Sequence, residues 1–547
     1  MIRFKPEKLV SLLTSCKQIS EVVQIHGYMI KDGFDTVPFY LSKLLASAII
    51  DVDYAAKIFD EIERPNLFMF NTMIRGYSNK EKPKQALFLF NSLRSQGLLL
   101  DQFSYIWALK ACVQEIEIGF WMGLGIHGLM VKSGFEFFIN VRNTLLHSYC
   151  GCKRIHDAQK LFDEIPERDL VSWNTLMGGY LKISHPIGVI NLFKQINFDV
   201  SSTTVLTVLS ACADLRNLDE CEALHCYCIK RMFCSELKVV TEIIVMYSKN
   251  GYMDLARKVF DGVSHKDIVL WNCMIQGYAG NGFLEESLCL LRQMIGCRMK
   301  PNSSTLAGVL KTCASTGALS TGKKIHSYID EEIINLDEVL GTALVDMYSK
   351  CGALEKAVNV FEQIKKKDVK SWTAMITGYG VNGEGESGIR VFEKMEGMGV
   401  MPNEVTFLAV LNACSHGGLV SEGKYFLDRM TRVYGFSPGI EHYGCVIDML
   451  GRAGLIEEAY ELIKSLPIER DSVAWRALLA ACKIYGNIEL GETVRRVLME
   501  LNDEHPSDSI LLSGSYASQG RWDDIARIRE EPSMKKEAGW SNINQND

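Results

Sequence analysis

The 547-residue chain is too long for one hydrophobic core, so several domains or a repeat array must account for it. Hydrophobic residues make up 47% and charged residues 23%, which excludes wholesale disorder, and the formal net charge of −7 argues against non-specific coating of nucleic acid, although a local groove can still be basic. Only 12 prolines interrupt the chain, no apolar run reaches the ~18 residues of a membrane span, and 17 cysteines without a secretory signal read as free thiols.

Residues 1–25 contain Arg3, Lys5, Lys8 and Lys17 but also Glu7 and Glu21. They already read as repeat sequence, so no clear targeting segment is expected there. From His26 onward, landmarks recur. His26, His127, His225 and His326 each follow Ile or Leu, at spacings of 101, 98 and 101 residues. Cys112, Cys212, Cys313 and Cys414 each follow Ala or Thr, at spacings of 100, 101 and 101. Trp173, Trp271 and Trp372 keep the same rhythm, as do Phe59, Phe162, Phe260 and Phe361. Such a period is the signature of a repeat array. The four histidines should make a packing or hairpin contact that recurs with it, and the four cysteines should be buried.

One period divides into three units, 268–302, 303–337 and 338–368, of 35, 35 and 31 residues. In the first, Trp271, Met274, Ile275 and Tyr278 lie on one helical face, Gly280-Asn281-Gly282 is a break, and Leu284, Leu288, Leu291 and Ile295 mark a second helix. Each unit is therefore a helical hairpin, and a hairpin buries its apolar face only against neighbours. The expected fold is all-α, a right-handed superhelical solenoid without β-sheet. A peptide-binding tetratricopeptide array fits less well, because its period is a uniform ~34 residues and its Trp–Leu–Gly–Tyr pattern is missing.

These motifs resemble the plant PLS class of pentatricopeptide repeat proteins. "DLVSWNTLMGGY" (169–180) and "DIVLWNCMIQGY" (267–278) look like its ordinary (P) repeat, 306–329 like its long (L) variant and 340–364 like its short (S) one. About fourteen repeats are expected over 5–471. The tail beginning "DSVAWRALLAACKIYGNIELGE" (471–492) is similar to the family's E-type extension, with a first motif over 472–505 and a shortened second over 506–543.

The resemblance implies that each repeat reads one RNA base with two side chains, the fifth residue of its first helix and its last residue. Carried over, Ser42 with Asn66 implies A, Asn71 with Asp101 U, Asn143 with Asp169 U, and Asn174 with Ser201 C. Thr241 with Asp267 implies G, Asn272 with Asn302 a pyrimidine, Thr342 with Asp368 G, and Thr373 with Asn403 A. The chemistry is intelligible: Asp accepts from an imino N–H, and an amide supplies either role. Long repeats place Ile106, Leu206, Ala307 and Leu408 at the reading position and are expected to skip a base, giving A-U-n-U-C-n-G-Y-n-G-A from 5′ to 3′. Val171, Val269 and Val339 stand where the family wedges apolar groups against bases, and Lys182, Lys249 and Lys350 where it contacts phosphates. Helix packing and a solvated face are the plainer readings of these two sets.

Other chemistry was weighed on the same residues. Cys221, His225, Cys226, Cys228 and Cys234 cluster like zinc ligands, but His225 is one of the periodic histidines and no Cys-x-x-Cys pair exists. "GALSTGKK" (317–324) approaches a P-loop, yet Lys324 stands where Ser or Thr should hold magnesium. No histidine is followed two residues later by Glu, so the His-x-Glu signature of the family's DYW-type deaminase domain is not found, and no cofactor or enzymatic activity is expected. The E-type tail implies a site-recognition factor for organellar C-to-U RNA editing. Its expected partners are single-stranded organellar RNA, a deaminase-bearing relative acting in trans, and multiple organellar RNA editing factors, with no membrane. The mitochondrion is the first expectation and the chloroplast the alternative. A factor for transcript stability, processing or splicing, and a helical protein-binding scaffold, are the competing readings.

Overall fold

The structure, a computed structural model, describes residues 6–332, 334–465, 472–501, 506–518 and 520–529. Helices begin where the 101-residue period places a capping side chain. Asp169 precedes Leu170–Lys182, Asp267 precedes Ile268–Gly280, Asn302 precedes Ser303–Thr316 and Asp368 precedes Val369–Val381. Each caps by accepting a hydrogen bond from the third backbone N–H of its helix, at 2.8 to 3.0 Å. Two long-repeat leading helices, Ser303–Thr316 and Glu404–Gly417, end on a left-handed glycine, Gly317 (φ 67°) and Gly418 (φ 69°), a conformation that a Cβ disfavours.

The described helices pair into hairpins, and no strand occurs among the described residues. Short repeats owe their length to the trailing helix. Ile155–Asp163 and Met253–Asp261 have nine residues, against thirteen in Pro83–Ser95 and Leu284–Gly296, a difference of one helical turn. The chain divides into two compact units, Met1–Gly262 and Val263–Asp547, each stacking eight hairpins among its described residues. Within each unit a leading helix packs against its own trailing helix and against the next leading helix. This is the all-α solenoid of stacked hairpins that the period predicts.

The periodic residues are the joints of these stacks. Phe59 meets Phe70, Phe162 meets Trp173 and Phe361 meets Trp372 edge-to-face at 5.1, 4.8 and 5.0 Å between ring centroids. Such contacts contribute about 0.5–1.5 kcal/mol each beyond area burial. Nδ1 of His127, His225 and His326 shares a hydrogen bond with the hydroxyl of Tyr149, Tyr247 and Tyr348 in the next hairpin, at 2.9, 3.1 and 2.9 Å. His26 does the same with Tyr54, at 2.8 Å. Burial holds all four imidazoles below the ordinary histidine value of 6.5. Cys112, Cys212, Cys313 and Cys414 occupy one position near the end of the long-repeat leading helix and are buried. A Cβ on Gly76 would collide with Ile49, just past the end of the preceding leading helix, and one on Gly179 with Cys150 within it, so glycine there sets how closely the hairpins stack.

Candidate nucleic-acid interface

In a helix, residues 2, 5, 6, 9 and 13 share one side, and this side of the leading helices lines a groove in each unit. In the second unit Val339, Thr342 and Asp346 of one helix face it beside Val369, Thr373 and Thr377 of the next, with Asn403 and Val405 beyond. In the first unit Ile106 and Lys110 lie beside Asn140, Asn143 and His147, followed by Val171 and Thr175.

Three pairs led by Asn meet directly through that amide and its partner's oxygen. Asn71 Nδ2 donates to Asp101 Oδ1 at 2.9 Å, Asn143 Nδ2 to both carboxylate oxygens of Asp169 at 3.0 and 3.2 Å, and Asn272 Nδ2 to Asn302 Oδ1 at 3.2 Å. Asn66 Nδ2 donates to Ser42 Oγ at 3.3 Å, which joins that pair as well. Two pairs are bridged. Ser371 Oγ lies 2.8 Å from Thr342 Oγ1 and donates to Asp368 Oδ1 at 2.7 Å. Thr406 Oγ1 stands likewise between Thr373, at 3.0 Å, and Asn403, at 2.9 Å. Asn174 and Ser201 are not joined: Ser201 Oγ bonds Thr203 and Thr204, and the buried Asn174 Oδ1 has no partner. Thr241 and Asp267 belong to different units. The Thr241 hydroxyl donates to Leu237 O at 2.8 Å, and Asp267 caps its own helix.

The last residues of these pairs thus serve as helix caps, which sequence reasoning did not bring out. Burial pushes the Asp169 carboxyl up, but hydrogen bonds from the Ser172 hydroxyl and amide and from Asn143 outweigh it and hold the group below 3.8, keeping it an acceptor. The bridging hydroxyls were missed too. They occupy the third position of the following leading helix, a slot that reads as core in the periodic pattern.

Val171, Val269 and Val339 are 57, 56 and 55% exposed, which rules out helix packing for them. Phe68, Phe103 and Val405 are displayed at the same second position. Lys182, Lys249 and Lys350 are exposed at the ends of their leading helices. Lys249 is held by Asp214 at 3.2 Å and Lys350 by Asp346 at 2.8 Å, so a phosphate would have to displace a carboxylate. Lys110 and Lys311 were not singled out from the sequence; both are exposed at the ninth position of long repeats and face the groove. Their signal was available, since they stand two periods apart.

Around the cysteine cluster, Cys221 and Cys228 are buried, and His225 is occupied by Tyr247. No group of three or more metal-ligating side chains comes together among the described residues. Of residues 317–324, Gly317 and Ala318 join the helix Ser303–Thr316 to the helix Leu319–Glu331, and the rest begin that second helix, so the segment does not follow a strand.

In each unit the groove on these two-helix repeats displays polar side chains from ordinary and short repeats, several of them paired, and an apolar residue from the long repeats. Comparison with known proteins agrees with that arrangement. The PPR repeat profile matches residues 141–170, 171–197, 269–299, 342–369, 405–433 and 441–467, the PPR repeat family profile matches 65–114 and 367–416, and the E motif profile matches 485–544. A mitochondrial pentatricopeptide repeat-containing protein of Arabidopsis thaliana is 50% identical over 544 residues, covering 98% of this chain and 95% of its own length. A chloroplastic one from the same plant is 36% identical over 578 residues, covering 98% and 78%. The crystal structure of the pentatricopeptide repeat protein PPR10 in complex with an 18-nt psaJ RNA element shares the fold. It has a TM-score of 0.53 and 15% identity over 96% of this chain and 92% of that one. The chain belongs to the pentatricopeptide repeat family. Its alternating long, short and ordinary repeats followed by an E motif place it in the PLS class, E subclass.

Proposed function

We propose that this protein binds one stretch of single-stranded organellar RNA and serves as the site-recognition factor for a C-to-U editing event. In this reading the repeats over 5–471 select the site, and the E-type motifs over 472–505 and 506–543 recruit a deaminase in trans. Of that tail, 502–505, 519 and 530–543 lie outside the described residues, the short stretch "EEPSMKKEAGW" included. The observation that carries the reading is the polar pairing along the groove. In Asn71–Asp101, Asn143–Asp169 and Asn272–Asn302, side chains 26 to 30 residues apart converge on one hydrogen bond beside the groove wall. A peptide-binding scaffold has no need of a matched donor and acceptor at each step.

The relatives named above are mitochondrial and chloroplastic, which supports an organellar location, the mitochondrion first. Selection from random RNA should enrich A-U-n-U-C-n-G-Y-n-G-A over its complement. Equal affinity for poly-U and for this motif would refute the base assignments. Transcript sequencing in a plant lacking the protein should show loss of editing at one site. Unaltered editing with altered transcript abundance would instead support a stability or splicing factor.

A further inference from the structure

The third residue of each leading helix follows a rule of its own. Ser104, Ser172, Thr204, Thr305, Ser371 and Thr406 hold this position and are all 0% exposed. A hydroxyl sealed from water is costly unless bonded. In five of the six, it is bonded to the fifth residue of the preceding repeat. Ser104 Oγ donates to Asn71 Oδ1 at 2.9 Å and Ser172 Oγ to Asn143 Oδ1 at 2.7 Å. Thr305 Oγ1 donates to Asn272 Oδ1, and Ser371 and Thr406 bond Thr342 and Thr373 as described.

Where the preceding fifth residue is aliphatic, so is the third. Ile106, Leu206 and Ala307 are followed by Val141, Val239 and Leu340, which are equally buried. Where it is a cation, the third is an anion: Arg476 Nε donates to Asp508 Oδ1 at 3.0 Å, and Asp508 is 5% exposed. Hairpin packing alone would accept Val throughout, so the chemistry of this buried residue tracks the reader before it. Three readers depart from the rule. Ser42, followed by Met69, takes its hydrogen bond from Asn66; Thr241 is followed by Leu270; and Leu408 is followed by His442, whose ring bonds Gly439 N and Glu404 O.

We propose that this third residue is a positioning residue for base recognition: it fixes the orientation of the reader one repeat before it. The inference rests on the RNA-reading function above. With Asn143 Nδ2 on Asp169, the amide oxygen faces the Ser172 hydroxyl. A flipped amide would press that oxygen against the carboxylate. Ser172 has one proton and two acceptors, Asn143 Oδ1 and Asp169 Oδ1 at 2.7 and 2.6 Å, so the three side chains lock as a unit. The second amide N–H and the second oxygen lone pair keep one arrangement for the base. Asn174 marks the contrast: Thr204 turns to Ser201, and Asn174 Oδ1 is left unbonded.

The test uses the full chain with Thr305→Val, which removes the hydroxyl from beside Asn272 and keeps the shape. Val141 and Val239 already occupy this slot elsewhere, so the fold should tolerate it. RNAs differing only at the nucleotide assigned to Asn272 and Asn302 are titrated. The pyrimidine preference should fall about three- to tenfold at that nucleotide, the equivalent of one net hydrogen bond, and nowhere else. Thr305→Ser should restore it. An undiminished preference, or an equal loss for every RNA, would overturn the role. A second measurement needs no RNA. In protein carrying ¹⁵N-asparagine, the Asn272 side-chain amide signals should move and exchange faster in Thr305→Val and return in Thr305→Ser. Unmoved signals would overturn the positioning role. A wild-type protein without base preference would refute the RNA-reading function separately.

Discussion

Replacing Asp368 by Asn separates the two jobs of one side chain. Asp368 caps Val369–Val381 by accepting from Ser371 N at 2.8 Å, and it stands beside the proposed reader Thr342 through the Ser371 hydroxyl. Asn caps about as well as Asp, so Asp368→Asn should change stability by less than about 0.5 kcal/mol, whereas Asp368→Ala should cost about 1 kcal/mol. At the base, the exchange replaces an acceptor for the N–H edge of guanine by an amide that also donates to adenine. A good base-edge contact in duplex DNA is worth about 1–3 kcal/mol, so the ratio of G to A affinity should fall about 5- to 150-fold. Removing a negative charge raises affinity for all RNA, so only the ratio counts. Fluorescence anisotropy on two RNAs differing at that nucleotide, with thermal melting of each variant, gives both numbers. Equal affinity changes for both RNAs in Asp368→Asn, with a lowered Tm in Asp368→Ala only, would make Asp368 a cap alone, and the register of the short repeats would fail. Asp267→Asn, paired in sequence with Thr241, should act in the same way on its own nucleotide only.

Lys182→Ala should weaken all RNAs alike and lower the salt slope by about 0.7 log units per log unit of salt, measured by titration at several salt concentrations. Lys249→Ala should do less, because Asp214 already holds that ammonium, and Asp214→Asn should strengthen binding without changing base preference. Cys226, Cys289 and Cys297 should react with a thiol reagent in the native protein, since all three are exposed. Cys112, Cys212 and Cys414, buried and pushed up to about 12, should be labelled only on unfolding, as mass spectrometry of digests would report. The half-buried histidines predict a pH effect. Their folded values lie below 6.5, so the unfolded chain protonates first, and stability is full above pH 6.5 and falls as pH drops below it. Denaturant melts between pH 7.5 and about 5.5 should show the fall, and changing His127, His225 and His326 together to Gln should reduce it, leaving the part due to His26 and His147.

The period and the hairpins were legible, and the caps could have been read as well, because each is local. A capping side chain and the N–H it serves lie three residues apart, and the apolar stripe of a helix repeats within two turns. The code-like pairs were legible only through their resemblance to a family, since nothing within one repeat says that Asn71 meets Asp101 thirty residues on. What the tertiary structure alone decided are contacts between hairpins. The periodic histidines were foreseen as a recurring contact, but their tyrosine partners stand 22 to 28 residues away. Lys249 reads as a free cation until Asp214, 35 residues earlier, is seen beside it. The third-position hydroxyls were the least visible. Ser172 and Val239 fill equivalent buried slots, and a one-dimensional pattern records only that the slot is core. Stacking one hairpin on the next puts Ser172 against the Asn143 amide, a neighbour that the sequence of one repeat does not contain.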